Sequence, residues 1–253
     1  MTRRIAQGLW WLGLLLIVGG AALVVAQVPG IPGLAVLGGG LAALAVNALL
    51  AGDIIIGPAP KPFSIRGSVV RGDVLVKAGL SDISMRSRGP GRIAQLQYGP
   101  FGQPGFEIKD GVAYLTMTGN LTNATDWEAE LANNVLWDLR VQSSLGNQSL
   151  DLSGVRMEKA RFRSLLGNIS VACPQRGVVK MGYKTLLGRI ELAIPEGIGA
   201  DVRVKVGPLA SLTVNNERLV FLDDSHLISE DRDEQAAQLE IIIEAGLGDV
   251  VLN

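Results

Sequence analysis

The chain has 253 residues, a net charge of −1 and a single cysteine. This near-neutral balance gives no basis for a nucleic-acid partner, and one cysteine excludes an internal disulfide. The length is sufficient for one sizeable domain with a membrane segment, or for two small domains.

The N-terminal region is apolar and predicts a membrane anchor. No charged residue occurs between Arg4 and Asp53, and this run is long enough for two spans of about 20 residues each. A turn rich in proline and glycine at 28–33 divides it. We therefore predict a transmembrane helical hairpin over residues 1–56. A cleaved signal peptide is the alternative, but the second apolar run argues against cleavage.

Positive charge flanks both outer ends of the predicted hairpin. Arg3 and Arg4 precede the first span, Lys61 and Arg66 follow the second, and the turn between the spans is uncharged. The positive-inside rule then places both ends on the cytoplasmic side. The prediction is a two-pass protein of the plasma membrane, embedded in the lipid bilayer, with a cytoplasmic C-terminal domain.

Beyond the hairpin, the sequence predicts a stiff linker followed by strands. Three prolines within 57–62 favour an extended linker. From residue 63 onward apolar and polar residues alternate, and turn signals at 71–73, 88–91 and 110–111 separate the segments. The predicted strands are 63–67, 74–76, 83–86, 93–98, 106–108, 112–118, 127–131, 137–141 and 241–252. Residues 233–238 are the one segment beyond residue 57 that does not follow the strand pattern, and they are predicted to extend a loop or to form one helical turn.

One short sequence motif, a turn of small residues followed by a strand of alternating apolar and polar residues, recurs in the second half of the chain. The glycines of three copies lie 21 residues apart, and the same motif recurs at 247–252. These turn glycines are Gly146, Gly167, Gly188 and Gly248. A copy at 209–214 is offset by 22 residues and has alanine in place of glycine. Such a period is typical of stacked repeats, and it predicts an all-β domain over 63–253, as a β-solenoid or a rolled sheet. Unrelated hairpins with a common turn composition are the alternative.

Four further motifs accompany the glycine turns, namely WEAEL at 127–131, LDLSGV at 150–155, AIPEGIG at 193–199 and AGLGD at 245–249. With these motifs the region from about 65 to 253 resembles the C-terminal, toast-rack domain of the LiaF-type, or cell-wall-active antibiotic response, proteins. It implies a module tied to the bacterial envelope and its stress signalling, which inhibits or scaffolds partner signalling proteins. No catalytic residues follow from the resemblance. The alanine in the offset copy departs from the family pattern.

Motifs of catalysis and metal binding are not found in the sequence. It contains no P-loop, no HExxH, no cysteine pair and no GxSxG. The only histidine, His226, lies beside an acidic run over 223–234, but the spacing is not that of an EF-hand. A solvated excursion before the last strand is the favoured interpretation. Cys173 is interpreted as a buried apolar residue. We therefore predict no catalytic residue, no cofactor and no metal.

Basic residues recur at strand spacing in successive repeats. The predicted partner-binding surface consists of Arg161, Arg163, Lys184 and Arg203, with Lys180 and Lys205 in the wider set. Acidic residues are interspersed, so a mixed-charge solvated face is the alternative.

The first hypothesis is a non-enzymatic, membrane-anchored scaffold or regulator of envelope-stress signalling. It would act through contacts with other membrane-associated proteins. The alternative is a membrane-associated β-solenoid polymer resembling the bactofilins. That polymer would self-associate through uncapped apolar end rungs, one of which the last strand could provide. An enzyme is the third hypothesis and would need a site built only from carboxylates, Arg, Lys and Ser.

Overall fold

A computed structural model describes residues 61–98, 104–119, 126–230 and 238–253. These residues form an all-β structure without helices. Within these ranges no helix has the length and apolar character needed to cross a bilayer. The predicted hairpin at 1–56, its orientation and most of the linker lie outside the described residues.

Nineteen strands form two mixed sheets within the described residues. The strands are β1 (Lys61–Ile65), β2 (Arg71–Leu80), β3 (Ile83–Arg88), β4 (Ala94–Tyr98), β5 (Gly105–Lys109), β6 (Val112–Thr118), β7 (Trp127–Ala132), β8 (Leu136–Leu145), β9 (Gln148–Asp151), β10 (Arg156–Leu166), β11 (Ile169–Ala172), β12 (Val178–Leu187), β13 (Ile190–Ala193), β14 (Gly199–Val206), β15 (Leu212–Val214), β16 (Leu219–Asp223), β17 (His226–Ser229), β18 (Gln238–Leu247) and β19 (Val250–Leu252). Sheet A has the order β1-β4-β7-β3-β9-β11-β13-β19-β15, and sheet B the order β16-β17-β14-β18-β12-β10-β8-β2-β6-β5.

The repeating unit is a rung, which we define as one strand of sheet B followed by a corner and one strand of sheet A. Neighbouring rungs pair in parallel in both sheets, and the register is kept from β10 to β12 and from β11 to β13. The pair β8–β10 has one register shift, between Met157 and Lys159. Ile169, for example, lies opposite Gln148 on one side and Ile190 on the other. Residues that are 21 positions apart in the sequence therefore lie side by side on neighbouring rungs, about 4.8 Å apart.

Two rungs do not follow the order of the chain. β2–β3 lies between β6–β7 and β8–β9, and β18–β19 lies between β12–β13 and β14–β15. The segment 241–252, predicted as one strand, is divided between β18 and β19 by a corner. The expectation that it could form an uncapped end of the stack is wrong, because both strands have a rung on either side.

The space between the sheets is filled by alternate side chains of both sheets. One inward row consists of Val76, Val141, Phe162, Tyr183, Ile243 and Val204, all of which are buried. The Phe162 and Tyr183 rings stack with centroids 5.2 Å apart. Burial of this kind explains why the alternation of apolar and polar residues is so regular.

Gly72 was predicted in a turn at 71–73, and this prediction is wrong. It lies inside β2, opposite Trp137 of β8. A Cβ on Gly72 would lie 2.1 Å from the Trp137 ring, so the glycine makes room for a fully buried indole. The residue is small because of packing, not because of chain reversal.

The four turn glycines occupy equivalent corners of four rungs. Their φ angles lie between 131° and 145°, a region that favours glycine. A Cβ on Gly167 would lie 2.1 Å from the carbonyl oxygen of Gly146, and one on Gly248 would lie 2.2 Å from that of Gly188. Both conformation and space therefore require glycine.

The offset copy at 209–214 has a different corner. β14 ends at Val206 and β15 begins at Leu212, whereas the other corners between β8 and β13 contain two residues each. Here Gly207 is the glycine that packs against the neighbouring rung, since a Cβ on Gly207 would lie 2.0 Å from the Gly246 carbonyl oxygen. Ala210 lies in the added turn, where its N–H donates to the Gly207 carbonyl oxygen at 3.1 Å.

Antiparallel strands lie outside the parallel rungs at both ends of sheet B and at one end of sheet A. β5 pairs with β6, β17 with β14, and β4 with β7. The predicted solvated excursion over 223–234 begins inside the antiparallel pair β16–β17, which covers residues 219–229. Leu227 is fully buried, which explains why this segment packs on the stack. The acidic residues at 231–237 lie outside the described residues.

Candidate interaction groove

The outer face of sheet B divides the predicted basic residues between two rows. Arg163 and Lys184 are register partners on β10 and β12. Arg161 lies two residues before Arg163 on β10, and Arg203 lies on β14. These two arginines belong to one row of register partners, with Gly182 and Ile242 between them. The structure thus brings together two of the four predicted residues and places the other two in a second row.

We call the first of these the basic row. From one side to the other it consists of Lys205, Glu244, Lys184, Arg163, Gln142 and Lys77. These residues belong to six neighbouring strands, so the row extends over about 24 Å. It lies along a groove of about 790 Å³.

The second wall of the groove consists mainly of leucine and of residues with small side chains. It lies closer to the corners and includes Gly79, Ser144, Leu165, Leu186 and Gly246. The two leucines are half exposed, at 50% and 51%. The groove therefore offers charged groups along one side and apolar surface along the other.

The charge of the basic row is dominated by cations. Four cations and one carboxylate give a net charge of +3. Lys184 Nζ lies 2.5 Å from Glu244 Oε2. The hydrogen bond from Lys184 holds the pKa of Glu244 below its usual value, against a smaller effect of desolvation, and the charges of Lys184, Lys205 and Arg163 act in the same direction. Glu244 thus stays ionised among three cations.

A buried polar row lies beneath the groove. Ser143, Ser164 and Thr185 are register partners on β8, β10 and β12, and all three are buried. Gln148 Nε2 donates to Ser143 Oγ at 2.8 Å and to the Arg163 carbonyl oxygen at 2.7 Å. The Ser164 and Thr185 hydroxyls have no hydrogen-bond partner among the described residues. Unpaired buried hydroxyls are uncommon, and these two lie in the lining of the groove.

The second row is balanced by carboxylates. Arg203 Nε lies 3.8 Å from Asp201 Oδ1, which also lies 2.8 Å from His226 Nε2. Arg140, beside Arg161, lies 3.3 Å from Asp73. This row matches the mixed-charge face that the sequence offered as the alternative.

The sequence contains a signal for only part of the basic row. Gln142, Arg163, Lys184 and Lys205 are each 21 residues apart and follow from the repeat. Lys77 and Glu244 do not, because their rungs enter the stack out of chain order. Lys205 belonged to the wider set of basic residues but not to the predicted surface.

The residues considered for chemistry have structural surroundings. Cys173 is buried, as interpreted from sequence, and burial raises the pKa of its thiol to about 12. Its Sγ lies 3.9 Å from Tyr183 Oη. His226 contacts Asp201 at the start of β17. No group of three or more His, Cys, Asp or Glu is arranged to hold a metal ion within the described ranges.

Comparison with known proteins gives a likeness of fold. No family model matches the chain, and no curated protein matches it. A "putative cell adhesion protein" from Clostridium sporogenes ATCC 15579 is similar over 76% of this chain and 98% of its own, with 15% identity and a TM-score of 0.67. A "putative adhesin" from Bacteroides fragilis NCTC 9343 covers 79% of this chain and 100% of its own, with 11% identity and a TM-score of 0.31. The first of these shares the all-β fold with this chain.

Proposed function

We propose that the chain is a non-enzymatic scaffold or regulator that acts by binding another protein in its groove. The observation that carries the proposal is the basic row, four cations and one carboxylate held in register along a groove on sheet B. A partner segment rich in Asp and Glu would match this charge, and Leu165 and Leu186 would receive its apolar side chains.

The stack of rungs suits such recognition because it fixes the spacing of the charges. Side chains on successive parallel strands are about 4.8 Å apart. A preformed surface loses little conformational freedom when the partner binds, so more of the interaction energy remains as affinity. The Lys184–Glu244 pair orients both groups in advance.

The proposed setting is the bacterial envelope. The apolar hairpin predicted over 1–56 would anchor the chain, and the repeat domain, as a β-solenoid of the toast-rack type, would act near the membrane. Anchoring raises the effective concentration of partners in the same membrane. The resemblance to LiaF-type proteins supports a role in envelope-stress signalling, and the Clostridium sporogenes protein of similar fold is named a "putative cell adhesion protein".

Two matched variants of the full chain test the proposal. The groove variant replaces Lys77, Arg163, Lys184 and Lys205 with Glu. The control replaces Arg140, Arg161, Lys180 and Arg203 with Glu, which makes the same change in net charge on the same sheet.

We expect partner proteins to co-purify from native membranes with the parent chain and with the control, and to be lost with the groove variant. Circular dichroism and thermal unfolding should show that both variants fold. Equal recovery with the two variants would contradict a role for the groove. A substrate turned over by the purified chain would contradict the non-enzymatic function.

A further inference from the structure

The edge strand β16 exposes a continuous apolar segment. Val220, Phe221 and Leu222 are exposed to 46%, 51% and 57%. β16 pairs with β17 on one side and is the terminal strand of sheet B among the described residues. An exposed apolar edge strand presents unpaired backbone groups to another strand.

The other sheet edges have features that discourage pairing. β1 contains Pro62, which has no backbone N–H to donate. β5 places Glu107 and Lys109 on either side of Ile108. β15 has only three residues, 212–214. Charge, proline and short length are the usual protections of edge strands, and the apolar part of β16 has none of them.

The charges at the ends of β16 favour one direction of pairing. Asp223 and Asp224 are exposed at its C-terminal end, while Glu217 and Arg218 precede its first residue. Parallel pairing of two copies would place four carboxylates together. Antiparallel pairing places the two aspartates of one copy beside Glu217 and Arg218 of the other. The Arg218 guanidinium donates to the Pro195 carbonyl oxygen at 2.8 Å, which fixes its charge at this end.

We propose that the chain forms a twofold dimer in which β16 pairs antiparallel with β16 of a second copy. Sheet B of one copy then continues into sheet B of the other, and the apolar segments of both copies cover each other. A twofold interface is closed, so the assembly stops at two chains and does not grow into a polymer. The dimer goes beyond the proposed scaffold function, because it uses an edge strand of sheet B, whereas the groove lies on the outer face of that sheet.

The first test measures the mass of the full chain in detergent micelles by light scattering over a range of concentrations. We expect a dimer for the parent chain. Phe221→Lys should raise the dimer dissociation constant at least tenfold, because a charge in the pairing strand must be desolvated. The matched control is Ile108→Lys on the opposite edge of sheet B, 47% exposed, which should leave the dimer intact. Thermal unfolding checks that both variants fold.

The second test identifies the direction of pairing by cysteine crosslinking. The native thiol, Cys173, is buried with a pKa of about 12 and serves as the unreactive background. Cysteines placed singly at Val220, Phe221 or Leu222 should include one that crosslinks two copies, whereas Asp224→Cys should not.

Three outcomes would overturn the proposal. One is a monomer at every concentration. Another is crosslinking at Asp224→Cys, which indicates parallel pairing. The third is crosslinking between Phe221→Cys and Ile108→Cys in mixed samples with masses that grow with concentration, which indicates a head-to-tail polymer.

Discussion

The rungs from β8 to β13 and the rung β18–β19 reach the same geometry by different routes. The former follow each other along the chain at intervals of 21 residues, whereas β18–β19 returns to lie between β12–β13 and β14–β15. Gly167 and Gly248 nevertheless have φ angles of 145° and 138° and equivalent close contacts. The local corner motif is therefore independent of the order in which rungs are added.

The corner glycines provide the largest expected effect. Gly167→Val should lower the free energy of unfolding by about 2 to 5 kcal/mol, because a β-branched residue is strained at this φ and its Cβ overlaps the carbonyl of the rung before it. Gly248→Val should cost as much, if the inserted rung is held as tightly as the consecutive ones. Denaturant unfolding of the full chain in detergent measures both.

A matched control for the corners is Gly89→Ala, since a Cβ on Gly89 would meet no atom within 4 Å. It should change stability by less than about 0.5 kcal/mol. A much smaller loss for Gly248→Val than for Gly167→Val would show that β18–β19 is only loosely attached to the stack.

A second comparison concerns the inserted rung at the other end of the chain, β2–β3. Gly72→Ala should cost about 1 to 3 kcal/mol, because its Cβ would lie 2.1 Å from the Trp137 ring in a filled core. Gly182→Ala on β12 is the control, with its nearest atom at 3.9 Å. Thermal unfolding of the two variants decides whether Trp137 depends on this glycine, and equal melting temperatures would refute the packing argument.

The sequence was sufficient for the all-β class of the described residues and for the local motifs. Alternation predicted an all-β domain, and Asp110-Gly111 predicted the β5–β6 hairpin, where both residues have positive φ. The order of the rungs could not be predicted, because it depends on which rung covers which at long range. For the same reason the sequence missed Lys77 and Glu244 of the basic row. It grouped Arg161 with Arg163 because both are exposed on the same face of β10. Gly72 was misassigned because a glycine that accommodates a distant indole has the same local pattern as a turn.

The asparagines that follow the corner glycines give a smaller effect. The Asn168 N–H donates to Asn147 Oδ1 at 3.0 Å, and the Arg189 N–H donates to Asn168 Oδ1 at 2.9 Å. Asn168→Ala should lower the free energy of unfolding by about 0.5 to 1.5 kcal/mol, the usual contribution of one such hydrogen bond. Asn168→Asp keeps an acceptor and should restore most of the loss. Identical stability of the alanine variant and the parent chain would contradict a role for this side-chain ladder.

Glu244 gives the smallest effect and tests how the inserted rung joins its neighbours in the groove. It lies on β18, between Lys184 of β12 and Lys205 of β14. The hydrogen bond from Lys184 lowers its pKa below the ordinary value of 4.5. A carboxyl whose folded-state pKa is lowered contributes stability that is fully present above its unfolded pKa and is lost as the pH falls through the folded value. Because the side chain is half exposed, we expect at most about 0.5 kcal/mol.

The measurement is the pH dependence of unfolding between pH 7 and pH 3 for the parent chain and for Glu244→Gln. The two stability curves should lie apart by this amount above pH 4.5 and converge in more acidic solution, where Glu244 of the parent is protonated. Lys184→Met should produce the same convergence, since it removes the main cause of the lowered pKa. Curves for Glu244→Gln and the parent that stay parallel down to pH 3 would show that β18 is not coupled to β12 through this ion pair, and that the basic row is four separate cations instead of one organised site.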